Sequence, residues 1–328
     1  MSLYWEQQRE RSTVAALHLM IWAALFFGRV IARIILLPIV GYFLLTSPRA
    51  IRASRHALRR LLARPPTLRD VARHFYCFAA CAIDRLYLLT DKHRHFRIEV
   101  SRPAVVAELA ARGSGCLLLV AHLGSFEPLR MLGTTQRKLP ISILMDRQQG
   151  KMLVRILERL NQDFALQVID AAQRGPELVL QLKENLQAGR MVCIMADRAR
   201  AVERALHVQF CGDTVRVPEG PWALAAALGV PVLLDFGLYR GGRRYSAHFE
   251  LFAERVSASR QRRAADLQAW AQRYAQRLEH YARLAPYNWF NFYDYWFDDL
   301  PSHRTNAMRD DEMQSKASPR RSQDNRDT

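Results

Sequence analysis

The sequence predicts an α/β domain with a mostly parallel central sheet flanked by helices, held behind an N-terminal membrane-anchoring helical segment. Three observations predict it. Five short, nearly continuous apolar runs recur between residues 115 and 236, amphipathic helical patterns fill the intervals, and residues 14–45 are almost wholly apolar. With 328 residues, half of them apolar and 24% charged, the chain can bury a large core. The same figures exclude a mainly disordered or collagen-like protein.

The N-terminal stretch divides into residues 14–28 (VAALHLMIWAALFFG) and 34–45 (IILLPIVGYFLL), with Arg29 and Arg33 between them. Neither part reaches the ~20 residues that cross a hydrocarbon core. Together they either cross once with tilt or turn back as a helical hairpin at Pro38–Gly41; a pair of buried core helices is the alternative. Arg29 and Arg33, four residues apart, are placed to snorkel or to meet lipid phosphates. No small-residue cleavage site follows at Thr46, Ser47 and Pro48, so the segment reads as an anchor rather than a removable signal peptide. Beyond it come Arg49, Arg52, Arg55, Arg59, Arg60, Arg64 and Arg69, whereas residues 1–13 balance their charges. That bias predicts a domain facing the cytoplasm, with a basic helix suited to anionic headgroups. The predicted division is an anchor over 1–48, the α/β domain over 49–300 and a polar tail over 301–328. The tail holds no Leu, Ile, Val, Phe, Trp or Tyr and is predicted to be disordered.

Within the domain, the predicted strands are 115–121, 140–145, 165–169, 191–196 and 231–236. Helical patterns fall at about 126–137, 151–161, 176–188 and 219–229. Pro176 suits a first helical turn, Leu178, Leu182 and Leu186 share a face, and Gly189 follows as a stop. Residues 265–284 form a last long helix, with Leu267, Trp270, Tyr274, Leu278 and Tyr281 at helical spacing.

A net charge of +17 points to an anionic partner: a membrane surface, a nucleic acid or an acidic carrier protein. The cations are nearly all Arg (43, against 5 Lys), a pattern that a base-composition bias also produces. No helix-turn-helix, zinc-finger or RNA-binding signature accompanies the charge, so no nucleic acid is expected. Cys77, Cys81, Cys116, Cys193 and Cys211 show no metal-ligand pairing and read as free, buried, reduced thiols. Gly-rich dinucleotide turns, a Walker lysine loop, a G-x-S-x-G elbow and an H-E-x-x-H helix are all absent, and no cofactor is predicted.

The feature that carries chemistry is the run from His122 to Glu127 (HLGSFE), directly after the apolar strand 115–121. A histidine with an acid five positions on arises by chance about once in such a composition, so the spacing alone means nothing. Its place means more, because groups at the carboxyl ends of strands in open α/β sheets form active sites. Gly124 permits a tight turn, and Glu127 in the next helix's first turn could hold one ring nitrogen of His122. The other nitrogen would then serve as a general base. A hydroxyl deprotonated there could attack an acyl thioester directly, with backbone amides or an arginine stabilising the oxyanion. A hydrogen-bonded structural histidine is the competing reading.

The run GSGCLLLVAHLGSFEPL (113–129) closely resembles the His-x4-Asp/Glu block of the lipid A biosynthesis acyltransferases, within the wider lysophospholipid acyltransferase superfamily. The likeness continues in order through ISILMDRQQ (141–149), LKENLQAGRMVCIMADR (182–198), VQFCGDTVRVPEGPWALAAALGVPVLL (208–234) and PYNW (286–289). The chain departs from the family at Asp197-Arg198, where Asp-Gln is usual, at Ala57-Leu58 for Asn-Leu, and at Phe210-Cys211-Gly212 for Phe-Phe-Gly. It looks most like divergent members found beside polyketide or fatty-acid-type synthases, such as those making aryl polyenes.

The resemblance implies a membrane-bound O-acyltransferase at the bacterial inner membrane. Acyl carrier protein, or coenzyme A, would be the donor, and a hydroxyl of a lipid or glycolipid the acceptor. It makes His122 the base and Glu127 its orienting partner. Arg147 becomes a candidate for the donor's phosphopantetheine, an acceptor phosphate or the oxyanion; the alternative is a surface arginine ending a strand. Asp197 could orient an arginine or the acceptor, or cap a turn, and Arg198 is a candidate phosphate contact. Ser125 reads as a helix N-cap rather than a nucleophile. The seven aromatics of 286–296 are either an interfacial belt or a packed terminal cap. Val217-Pro218-Glu219-Gly220 resembles a glycerol-phosphate acyltransferase block but sits where a loop and helix start are expected. A thioesterase or lipid hydrolase on the same site, and a basic membrane-anchored binding protein without activity, are the alternatives.

Overall fold

The computed structural model describes residues 14–88, 96–113, 115–125, 140–146, 168–173, 175–200 and 203–296. The long apolar runs pair where their lack of polar interruption says they should, in the buried centre of a seven-stranded sheet. Its order is β1 (Arg97–Ser101), β9 (Arg244–Ala253), β8 (Val232–Tyr239), β2 (Leu117–Val120), β5 (Met191–Met195), β3 (Ile141–Met145) and β4 (Val168–Asp170). Every pairing is parallel except the hairpin of β8 with β9. Five of these strands stand where the apolar runs predict them. β9 escapes that reading because it alternates Tyr245, Ala247 and Phe249 with Ser246, His248 and Glu250. β1 is a short edge strand whose residues alternate between exposed and half-buried.

Alternation along β2 sends its side chains into two cores. Leu117 and Leu119 pack with α7 (Arg263–Leu284) and the helices α5 (Pro176–Gln187) and α6 (Gly220–Leu228). Cys116, Leu118 and Val120 face α4 (Pro103–Ala111) through Val106 and Leu109. The segment Phe210-Cys211-Gly212 forms the tip of an antiparallel hairpin, β6 (Ala205–Phe210) and β7 (Asp213–Pro218). Cys211 and Gly212 turn it at φ 53° and 84°, and α6 follows directly. All five cysteines are buried and outside disulfides. The helices predicted at 126–137 and 151–161 and the tail from 301 lie outside the described residues.

The N-terminal helices correct two expectations. The helical stretch α1 (Val14–Thr46) runs through Pro38 and Gly41 without reversing. Its break is at Gly28, with φ 80° and ψ 170°, a conformation that costs a side-chain-bearing residue far more than glycine. Gly28–Thr46, 19 residues of mean hydropathy 1.9, is long and apolar enough to cross a membrane. Its inner face, Ala32, Leu36 and Val40, packs on α3 (Leu68–Leu88) and on α2 (Pro48–Leu62). Phe26, Val30, Ile34, Leu37 and Leu45 point outward.

Arg29 and Arg33 do not reach toward lipid phosphates; both close on Asp84 of α3, at 2.7 and 2.5 Å. That carboxylate has no exposed surface and also accepts from the Tyr245 hydroxyl at 2.8 Å. A buried acid draws the nearest cations, and the two arginines stand one helical turn apart on the face turned to it. α2 is amphipathic. Ala53, Ala57, Leu58 and Leu61 face inward, while Arg49, Arg52, Arg55 and Arg59 are exposed.

Candidate active site

Strand register builds the site. β2 and β5 run parallel with Leu117 opposite Val192 and Val120 opposite Met195. Two residues further on, the same register sets His122 opposite Asp197. Each is thus carried past the carboxyl end of a central strand, where side chains leave the sheet and can meet. The His122 Nδ1 lies 2.9 Å from Asp197 Oδ1 and 3.2 Å from Oδ2, and the His122 backbone N–H donates to Oδ2 at 3.1 Å. A nitrogen held against a carboxylate carries the proton, which leaves Nε2 as the unprotonated nitrogen of the neutral ring. Asp197 is completely buried, while the His122 side chain keeps 32% of its surface open.

Burial lowers the basicity of His122, and Arg198 lowers it further; Asp197 opposes both, and the net shift is below the ordinary 6.5. Burial also works against ionising Asp197, but His122 and Arg198 outweigh it and hold its carboxyl below the usual range. The pair is therefore an ionised acid beside a neutral imidazole at neutral pH.

The turn after β2 is pinned from two sides. Gly124 sits at φ 68°, and a Cβ there would fall 1.9 Å from the carbonyl oxygen of Gly237 on β8, so only glycine fits. Its N–H donates to the Asn288 carbonyl, and the Ser125 N–H donates to Gly237. The Phe290 N–H donates to the His122 carbonyl, and Leu123 pairs with Trp289 as an isolated bridge. Behind Trp289, the buried His74 donates from Nε2 to its carbonyl at 2.9 Å and accepts from the Ser54 hydroxyl at 2.8 Å. The Tyr295 hydroxyl donates to the Asp197 carbonyl at 2.7 Å. The segment 286–296 is thus a packed cap rather than an interfacial belt. Trp289, Phe290, Tyr293, Tyr295 and Trp296 are all buried.

The structure brings together His122, Asp197 and Arg198 of the residues singled out by sequence. Arg198 turns its guanidinium to the Phe290 carbonyl and the Tyr293 ring, with its Nε 3.6 Å from Asp197. Its described partners are protein groups, not the open surface that a phosphate contact needs. Glu127 and Arg147 lie outside the described residues. The described carboxylate that holds His122 Nδ1 is Asp197, which sequence reasoning did not pair with it. A signal for it existed: each residue is the first polar position after a buried apolar run. No cluster of three or more metal-ligating side chains occurs among the described residues.

Comparison with known proteins sets the chain beside bacterial lipid acyltransferases. A family profile described as bacterial lipid A biosynthesis acyltransferase matches residues 72–297. A phosphatidylinositol mannoside acyltransferase of Mycobacterium tuberculosis is 29% identical over 205 residues, covering 62% of this chain and 61% of the relative. The protein of that name from Mycolicibacterium smegmatis is 25% identical over 197 residues, 58% of this chain and 60% of its own length. The match therefore spans about three fifths of these relatives.

Proposed function

Because the chain belongs to the bacterial lipid A biosynthesis acyltransferase family, we propose that it moves a fatty acyl group from an acyl carrier protein thioester to a hydroxyl of a lipid or glycolipid at the inner membrane, with the domain facing the cytoplasm. The observation that carries the reading is the buried Asp197 locking the tautomer of a half-open His122 at the carboxyl edge of the sheet. In this reaction Nε2 takes the proton of the acceptor hydroxyl as its oxygen bonds to the thioester carbon. Asp197 stabilises the imidazolium so formed. The tetrahedral oxyanion then collapses, the carbon–sulfur bond breaks, and the imidazolium returns the proton to the leaving thiolate. No enzyme nucleophile and no cofactor enter. The buried cysteines suit that economy, since burial pushes the thiols of Cys116 and Cys211 up to about 12. Glu127 and Arg147 keep the parts that the family resemblance gives them, an orienting acid for His122, here alongside Asp197, and a cation for the donor's phosphopantetheine, an acceptor phosphate or the oxyanion. The basic surface suits an acidic carrier protein as donor.

The test supplies labelled acyl carrier protein to membranes holding wild-type or His122→Ala protein and separates the lipid extract. A labelled lipid made by wild type alone is the expected result. Labelled free fatty acid without a labelled lipid would replace transfer by hydrolysis, and equal product from His122→Ala would remove His122 as the base.

A further inference from the structure

At the same edge of the sheet as His122, one strand across, lies a cavity of about 800 Å³ between α1, α3 and the β8–β9 turn. That volume falls within the roughly 300–1,000 Å³ of small-molecule sites. His122 is not among its lining residues. Asn288 separates the two spaces: its side chain accepts from the Tyr239 N–H at 2.6 Å and donates to the Tyr239 carbonyl, while its own carbonyl receives the Gly124 N–H.

The lining combines charged and apolar side chains. Arg29, Arg33, Arg73 and Arg240 contribute four guanidinium groups, and no acidic side chain among the described residues lines the space. Asp84, behind Arg29 and Arg33, balances one of these charges. Arg73 lies over the Tyr287 ring at 4.3 Å, and Arg240 is held through its Nε by Ser246; the Glu99 charge acts on Arg240, and neither arginine forms an ion pair among the described residues. The apolar lining includes Val30, Ile34 and Leu37, exposed by 62%, 58% and 60%. They belong to the outward face of the helix that is apolar enough to span a membrane.

We infer that this cavity holds the headgroup of an anionic membrane phospholipid, with its phosphodiester between Arg73 and Arg240 and its chains along Val30, Ile34 and Leu37. A zwitterionic headgroup would bring its own cation into a space already in positive excess. A soluble phosphate ester would leave the apolar wall uncovered. Asn288 bars the occupant from His122, so it is not an acyl acceptor. It bears instead on the 286–290 segment, whose other side pins the His122 turn.

The inference does not rest on the acyl-transfer reading, because its test reads binding without turnover. Full-length protein in detergent is mixed with phosphatidylglycerol or phosphatidylcholine and weighed intact by native mass spectrometry. One phosphatidylglycerol per chain, preferred at least tenfold over phosphatidylcholine, is expected. Arg73→Gln/Arg240→Gln should lose that retention at least tenfold, and Arg73→Lys/Arg240→Lys should keep most of it. Hydrogen exchange at 286–290 should slow with phosphatidylglycerol and not with glycerol 3-phosphate. Equal retention of the two lipids by wild type overturns the inference even if the Gln variant fails to fold. Undiminished retention by a folded Gln variant, or equal protection by glycerol 3-phosphate, overturns it too.

Discussion

At the scale of single residues, the site is an argument about where one proton sits. His122 needs Asp197 for its tautomer, and Asp197 makes three contacts with it while exposing nothing to water. Asp197→Asn keeps the shape and removes the charge. Turnover should fall by about 10²–10⁴, the usual range of general acid–base assistance, with little change in apparent affinity for the acceptor. Equal loss in both would mark Asp197 as merely structural. The base must be neutral, and His122 is shifted below 6.5, so the acid limb of kcat against pH should lie below that value. Arg198 contributes to the lowering. Arg198→Gln removes its charge yet keeps a donor for the Phe290 carbonyl, and should move the limb to higher pH; an unmoved limb would show that the arginine does not act on the proton. His122 was legible from sequence because it directly follows an apolar run. The contact with Asp197 was not, because that residue is brought in by the pairing of β2 with β5, 75 positions away. Register is a property of two strands, and neither displays it alone.

Among the elements, the strands that could be read were β4 and the more deeply buried β2, β3, β5 and β8, since strands covered on both faces need no polar alternation. β9 and the β6–β7 hairpin were hidden because half-exposed strands interleave charges that resemble loop sequence. The N-terminal helices hid something different. Arg29 and Arg33 look like membrane-interface arginines until α3 supplies Asp84, whose presence in a helix 51 residues beyond Arg33 no local pattern announces. Asp84→Asn leaves two guanidinium groups facing a buried site without their anion. Removing one partner of such a set costs on the order of 3–5 kcal/mol. The unfolding temperature in detergent should drop by roughly 10 °C, and proteolysis near Gly28 should accelerate as α1 loosens from α3. An unchanged melting curve would mean that apolar packing alone docks α1. A pH effect belongs to the same layer. Burial lowers His74 to about 4 from 6.5, against the pull of its bond to Trp289. Its folded pKa lies below its unfolded one, so its contribution is complete above 6.5 and is lost as the pH falls toward 4. His74→Gln should flatten the acid side of the stability curve between those values. If the slope there survives the substitution, other groups carry it.

For the molecule as a whole, the two N-terminal helices set an outward apolar face beside a row of exposed arginines. α1 ends at Thr46 and α2 begins at Pro48, so the outward apolar face of the first is followed, after one residue, by the exposed arginines of the second. Sequence reading anticipated both features from composition. It could not show that the apolar helix is docked on α3, because docking depends on Asp84 and on the fit of Ala32, Leu36 and Val40. The arrangement divides membrane binding into two physically different parts. Apolar burial of α1 should be indifferent to lipid charge, whereas Arg49, Arg52, Arg55 and Arg59 should respond to it, each by about 1 kcal/mol near an anionic surface. Replacing these four by Gln should therefore weaken partition into vesicles rich in phosphatidylglycerol by about 10²–10³, once screening and partial contact are allowed for. Partition into pure phosphatidylcholine should stay the same. High salt should lower the partition of wild type into anionic vesicles far more than that of the variant. Flotation of the full chain with the two vesicle types, at low and high salt, measures all four quantities. Equal partition of wild type and variant into anionic vesicles would take α2 off the membrane surface, leaving α1 as the attachment.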